Sequence, residues 1–222
     1  MRIIVKLSTA VYLTMVFIAL NIALITIDVQ PIGPCNSTIG LATINQFFKE
    51  LIGESKVWYD ISELLGIIPL LTAVCFGVLG VVQLIKGASF KKVDVDLIFL
   101  ALFYVVVILV YVFYEKIVVN YRPVLIEGEL EAAFPSSHTL LAITIMGTAI
   151  MQINQRIKNK PLKVVLIALS IVVLIFSVVA RCLSGVHWFT DVLGGLLIGF
   201  ALALFYSAIV EYIKTKKNRT NE

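Results

Sequence analysis

Residues 97–115 read LIFLALFYVVVILVYVFYE, an apolar run that carries no charge before its last position. About 20 such residues, coiled as a helix, span the hydrocarbon core of a bilayer. Further apolar stretches of similar length occur in the chain, and none shows the strict alternation of a membrane β-strand. They cover residues 3–27, 64–85, 138–154, 164–182 and 191–212. The sequence therefore predicts an all-α integral-membrane bundle of six transmembrane helices.

The composition supports the same class of protein. The 222 residues are 60% hydrophobic and only 14% charged, which excludes an ordinary soluble domain. Six spans with short connections leave no room for a second domain, so we predict one membrane-embedded domain over 1–222. The first stretch is too long for a signal-peptide core and is predicted to be retained. The predicted partner is the lipid bilayer, with no nucleic acid.

The basic residues indicate how the chain is oriented. If six spans start inside, thirteen of the 18 Lys and Arg residues lie in cytoplasmic segments, as the positive-inside rule expects. These thirteen are Arg2, Lys6, Lys86, Lys91, Lys92, Arg156, Lys158, Lys160, Lys163, Lys214, Lys216, Lys217 and Arg219. Both termini are therefore predicted to be cytoplasmic. The loops at 115–137 and 181–190 then lie on the outer face.

A longer outer segment, about 28–63, separates the first two spans. Within it Ile44, Phe47, Phe48 and Leu51 recur at helical spacing, with charged residues on the other side. This pattern predicts an outer helix that lies at the membrane interface. A helix that packs on top of the bundle is an equally good interpretation.

The loop at 181–190 carries the first candidate catalytic residues. His187 and Asp191 are four residues apart, so the carboxylate can reach the imidazole on one helical face. A carboxylate that holds one ring nitrogen leaves the other free as a nucleophile. In the alternative interpretation, Asp191 only caps the following helix. Arg181 favours the catalytic interpretation, because a guanidinium suits phosphate oxygens.

A second candidate group precedes the fourth apolar stretch, where the sequence reads Pro135-Ser136-Ser137-His138. Proline and serine signal a helix start, which points unpaired backbone N–H groups toward an anion. His138, in the first turn, is well placed to give a proton to a leaving oxygen. Arg122 and Lys116 add positive charge in the same outer loop.

Together these residues resemble the type 2 phosphatidic acid phosphatase superfamily, in its membrane lipid phosphatase branch. That family shows Lys, six residues, Arg-Pro; then Pro-Ser-Gly-His; then Ser-Arg, five residues, His, three residues, Asp. The resemblance covers roughly residues 97–212, and the motifs lie within 115–191. Three positions depart from it: Ser137 replaces glycine, Ala180 replaces serine, and Glu115 stands where lysine is expected, one residue before Lys116.

The resemblance implies a mechanism that needs no metal or other cofactor. His187 attacks phosphorus and forms a phosphohistidine, with Asp191 orienting it. His138 protonates the leaving oxygen and later activates water. The phosphate oxygens are stabilised by Arg122, Arg181, Ser136, the backbone near Ser137, and Lys116. The one-residue shift turns the lysine side chain by about 100° on a regular helix.

The predicted function is hydrolysis of a lipid phosphate or diphosphate at the outer face of the cell membrane. The candidate substrates are undecaprenyl diphosphate, phosphatidylglycerol phosphate and phosphatidic acid. One alternative is a lipid phosphotransferase that uses the same groups. Another is a six-span anion-binding or transport protein with no catalytic activity.

Overall fold

The computed structural model describes residues 1–220, with side chains as far as residue 216. Within that part of the chain every regular element is helical, which confirms the all-α class. The α-helices are α1 (Arg2–Thr26), α2 (Ala42–Ile52), α3 (Lys56–Gly87), α4 (Val95–Lys116), α5 (Ser137–Leu141), α6 (Gly147–Arg156), α7 (Lys160–Leu183) and α8 (Phe189–Thr220). Short 3₁₀ turns lie at Pro34–Asn36 and Phe90–Lys92.

Five of these helices are long and apolar enough to cross a bilayer, namely α1, α3, α4, α7 and α8 as far as Lys216. They match five of the six predicted stretches. The largest differences, eight residues each, are at α3, which begins at Lys56 rather than at residue 64, and at α8, which ends at Thr220 rather than at residue 212. Ser55 starts α3 early, because its side chain accepts a hydrogen bond from the Trp58 N–H at 3.4 Å.

The fourth predicted span is helical but not regular. It consists of α5, a π-helical turn at Ala142–Met146, and α6, so no single α-helix of spanning length covers it. The π turn is buried, and the hydroxyls of Thr144 and Thr148 bond back to carbonyls one turn earlier. A π turn inside a helix often lies near a functional site. The count of six spans and the position of both termini stay predictions.

The core lies around this irregular segment and α8. In the most apolar 18-residue stretch of each helix, 50% of α8 is buried but only 6% of α3. Most of the surface of α3 therefore faces away from the bundle, toward lipid. The Phe134 ring stacks on Phe17 of α1 with 5.7 Å between ring centroids. Gly195 of α8 permits close packing, because an added Cβ would lie 2.8 Å from the Ser136 carbonyl oxygen.

The predicted outer helix is present as α2. One face packs on the start of α8: the ring centroids of Phe48 and Phe189 are 4.0 Å apart, and Asn45 Oδ1 accepts from the Thr190 N–H at 3.2 Å. The other face leaves the apolar side chains of Phe47 and Leu51 exposed. Packing of this helix on the bundle is therefore observed, whereas its position at a membrane interface stays a prediction.

Candidate active site

The loop between α4 and α5, residues 117–136, brings Arg122 and the residues before His138 to the start of α8, where His187 and Asp191 lie. It folds back on itself, and the Arg122 N–H donates to the Glu131 carbonyl at 3.0 Å. At its end the Ser136 N–H donates to the Asp191 carbonyl of α8 at 2.9 Å. Two stretches of chain that lie far apart in sequence are thereby joined at one end of the bundle.

His187 and Asp191 are in contact at the start of α8. Asp191 Oδ2 accepts a 2.8 Å hydrogen bond from the Trp188 N–H and lies 3.4 Å from His187 Nδ1. Both side chains are buried. Asp191 therefore caps the helix by accepting from the N–H of the preceding turn, and it also contacts the imidazole. Helix capping and orientation of His187, which the sequence left as alternatives, are compatible.

The buried imidazole of His187 is suited to act as a nucleophile. Burial lowers the pKa of His187 well below its usual range, and the charges of Arg181, Arg122 and His138 lower it further. The ring is therefore neutral at neutral pH, with one nitrogen lone pair available. Nδ1 has only the 3.4 Å contact with Asp191, and the backbone of Ala133 is the other polar group beside the ring. A buried imidazole with so few polar partners could accept a ligand group at the site.

His138 lies in the first turn of α5, opposite α3. Its Nε2 is 3.4 Å from Glu63 Oε1, and its Nδ1 is buried without a partner among the described residues. The same Glu63 oxygen accepts a 2.8 Å hydrogen bond from Arg181 Nη1. One carboxylate of α3 thus links the two candidate residues.

A small pocket brings Arg122 and Ser137 to His187, and all three residues line it. We call Arg122, His138, Arg181, His187 and Asp191 the histidine cluster. Ser136 lies just beneath it, with a buried hydroxyl that accepts from Thr139 Oγ1 at 3.1 Å and does not line the pocket. The arrangement provides two guanidiniums and two imidazoles at one place.

The structure does not bring Lys116 to this cluster. Its side chain is exposed at the end of α4, while Glu115, the residue before it, lines the pocket beside Arg122. The helix is regular up to Lys116, so no bulge compensates for the one-residue shift. The assignment of Lys116 to the phosphate site therefore lacks support from the geometry.

Two carboxylates of the site were missed by the sequence analysis. Glu131 Oε2 lies 3.0 Å from Arg122 Nε, and Glu63 contacts Arg181 and His138 as described. A signal for Glu63 was present, because it is a charged residue at the edge of a predicted span, where charge is costly. Glu131 carried no such signal, since acidic residues are common in exposed loops.

A model of the PAP2 superfamily matches residues 64–215, and the chain belongs to that superfamily. This confirms the resemblance inferred from the motifs. The fold is similar to that of a solved structure, described as the first transmembrane PAP2 type phosphatidylglycerolphosphate phosphatase from Bacillus subtilis. The two share a TM-score of 0.67 and 16% identity, over 92% of this chain and 97% of that one. No curated protein sequence matches the chain. Its apolar helices and its family make it a multi-pass membrane protein.

Proposed function

We propose that this protein removes a phosphate group from a lipid phosphate or diphosphate at the outer face of the cell membrane. One observation carries the proposal: the two histidines and the two loop-edge arginines converge on one buried cluster whose nitrogens are partly without partners. Phosphoryl transfer asks mainly for a positioned nucleophile and a dense positive field, and the cluster offers both.

In the first step, His187 Nε2 forms a bond to phosphorus while the bond from phosphorus to the leaving oxygen breaks. His138 gives its proton to that oxygen. The contact of Nδ1 with Asp191, at 3.4 Å, supports Nε2 as the attacking nitrogen. The low pKa of His187 supports the same role, since only the neutral ring can attack.

In the second step, a water oxygen bonds to phosphorus and the bond to His187 breaks. The water proton passes to His138, which restores the resting state. Arg122 and Arg181 stabilise the negative oxygens in both steps, and the backbone near Ser137 faces the same pocket. A supporting role for the Ser136 hydroxyl and a contact from Lys116 stay predictions.

Two features support the outer face and a lipid substrate. Thirteen of the 18 basic residues fall on the opposite side of the predicted bundle, as expected for cytoplasmic segments. The cluster lies at the ends of membrane-type helices, where a lipid headgroup is accessible. The solved relative is described as a phosphatidylglycerolphosphate phosphatase, so that lipid is the first substrate to test. Undecaprenyl diphosphate and phosphatidic acid follow.

The test is phosphate release by the purified full-length protein in mixed micelles, with each of these three lipids in turn. We expect hydrolysis of at least one, inhibition by vanadate and no effect of EDTA. A rapid quench with a ³²P-labelled substrate should trap an acid-labile label on His187. Absence of turnover with every lipid would favour the anion-binding alternative and overturn the proposal.

Two further measurements separate the remaining alternatives. If phosphate appears only on an added alcohol and never as inorganic phosphate, the protein is a phosphotransferase. Loss of activity with EDTA, restored by a divalent cation, would contradict metal independence. For the face, a cysteine placed at Glu129 should react with a reagent that cannot cross the membrane of intact cells. Labelling only after the cells are opened would contradict the outer site.

A further inference from the structure

The first three turns of α3 present one face to the histidine cluster. Tyr59, Ser62, Glu63 and Gly66 lie three and four residues apart, the spacing that places side chains on one side of a helix. None of them belongs to the three motifs. This face forms a fourth wall of the site beside the loop and the starts of α5 and α8.

The wall holds Arg181 by one nitrogen. Nη1 donates to Ser62 Oγ at 3.0 Å and to Glu63 Oε1 at 2.8 Å, and the Tyr59 ring centroid lies 5.7 Å from the guanidinium carbon. Arg181 is 1% exposed, and its Nε has no partner among the described residues. The Nε edge of the guanidinium therefore stays open for a phosphate oxygen while Nη1 is anchored.

The same wall fixes the ring of His138. Glu63 Oε1 lies 3.4 Å from Nε2, so the nitrogen without a partner is Nδ1. Gly66 allows the ring to approach α3, because a Cβ at that position would lie 3.0 Å from Nε2. Glu63 therefore places a carboxylate against His138 Nε2, and the same carboxylate oxygen is shared with Arg181 Nη1.

We propose that Glu63 is a positioning residue for the phosphatase reaction, which holds Arg181 by Nη1 and His138 by Nε2. In this arrangement Nδ1 of His138 exchanges the proton with the leaving oxygen and then with water. Glu63 does not touch phosphorus or its oxygens; it orients two residues that do. The inference rests on the proposed function, since it assigns a role within that reaction.

The test compares Glu63→Gln with the wild type, using phosphatidylglycerol phosphate in mixed micelles. Glutamine keeps the shape but cannot stabilise a protonated His138, so we expect kcat to fall about tenfold. The alkaline limb of the kcat–pH profile should also move to lower pH. Inhibition by vanadate should stay equal or become up to about threefold tighter, because the site loses a negative charge. A purely structural loss would instead weaken vanadate binding.

Two variants serve as controls. Glu63→Asp keeps the charge and should restore part of kcat and most of the pH profile. Glu129→Gln removes an exposed loop carboxylate outside the site and should behave as wild type. The unfolding temperature of each variant in detergent shows whether it is folded.

Three results would overturn the inference. A folded Glu63→Gln protein with wild-type kcat and pH profile would show that the carboxylate has no positioning role. A raised kcat together with tighter vanadate binding would show that Glu63 occupies the phosphate position and competes with substrate. A wild type with no activity on any lipid would remove the proposed function as well, whereas the first two results leave it intact.

Discussion

Two polar clusters lie at opposite ends of the bundle, and they differ in how completely their atoms are paired. In the first, which we call the Arg156 cluster (Asp94, Asp96, Gln152, Arg156 and Tyr206), every nitrogen of the guanidinium has a partner. Nε donates to Gln152 at 2.6 Å, Nη1 to Asp94 at 2.6 Å and Nη2 to Asp96 at 3.0 Å.

The histidine cluster is paired less completely. Its buried His138 Nδ1 and Arg181 Nε have no hydrogen-bond partner among the described residues, and His187 Nδ1 has only a 3.4 Å contact with Asp191. Arg122 Nε, by contrast, lies 3.0 Å from Glu131 Oε2. Native proteins rarely leave buried polar atoms unpaired, because each costs free energy. We therefore expect the Arg156 cluster to stabilise the bundle and the histidine cluster to bind an anion with several oxygen atoms.

The largest expected effect is loss of activity in His187→Ala. Without the nucleophile we expect phosphate release to fall by a factor of about 10³ or more. The variant should still fold, with an unfolding temperature lowered by only a few degrees, because it loses the packing of one buried ring and its 3.4 Å contact with Asp191. Initial rates and thermal unfolding in detergent measure the two properties. Full activity would remove the mechanism, and a large fall in unfolding temperature would break the comparison.

Arg156→Met should show the reverse pattern. It leaves Asp94 and Asp96, whose side chains are 48% and 12% exposed, without their shared cation. Because the pairs are partly solvated, we expect a loss of about 2 kcal/mol rather than the larger cost of a fully buried pair. Activity below the unfolding temperature should stay near wild type. Thermal unfolding and rate assays on the same sample test both statements.

The matched control for this variant is Lys158→Met, which removes an exposed charge close by.

The hydrogen bond from Arg156 lowers the pKa of Asp94 below its usual value, with a further contribution from Gln83. The stability from this pair is therefore present at neutral pH and is lost as pH falls through the folded-state pKa. The difference in unfolding temperature between wild type and Arg156→Met should become smaller in acid. A difference that grows in acid would contradict the ion pair as its cause.

The sequence predicted the parts of the structure that depend on local composition. Apolar length predicted five helices that match candidate spans, and motif spacing predicted the contact of His187 with Asp191. The motifs also predicted that Arg122, His138 and Arg181 serve one site, but contacts made by residues outside the motifs were not predictable, because no local pattern encodes them. Glu63 reaches Arg181 only after α3 and α7 have packed together, and Glu131 reaches Arg122 only through the fold of the loop.

The irregular helical segment at the fourth predicted span shows the same limit. Residues 138–154 are apolar throughout most of their length, and the sequence contains no proline there to mark a break. The π turn arises instead where Ala142–Met146 is enclosed by its neighbours. Hydropathy reports how apolar a segment is, not how tightly other helices surround it.

A smaller effect is expected from crowding His138. Gly66→Ala places a Cβ 2.8 Å from its Cδ2, so the ring must shift, and we expect kcat to fall about tenfold. Gly77→Ala changes the same residue type on the same helix where no atom lies within 4 Å, and its rate should equal wild type. Equal rates for both variants would show that the position of the His138 ring tolerates movement.

The smallest effects are expected at the end of α4, where two neighbouring charges differ in position. Lys116 is exposed and outside the pocket, so Lys116→Ala should change kcat/KM by less than about twofold, since exposed charges are screened by salt. Glu115 lines the pocket, and its negative charge opposes an incoming phosphate. Glu115→Gln should therefore lower KM by about two- to threefold. A loss of tenfold or more in Lys116→Ala, measured with the same lipid, would show that its long side chain reaches the phosphate after all when substrate is bound.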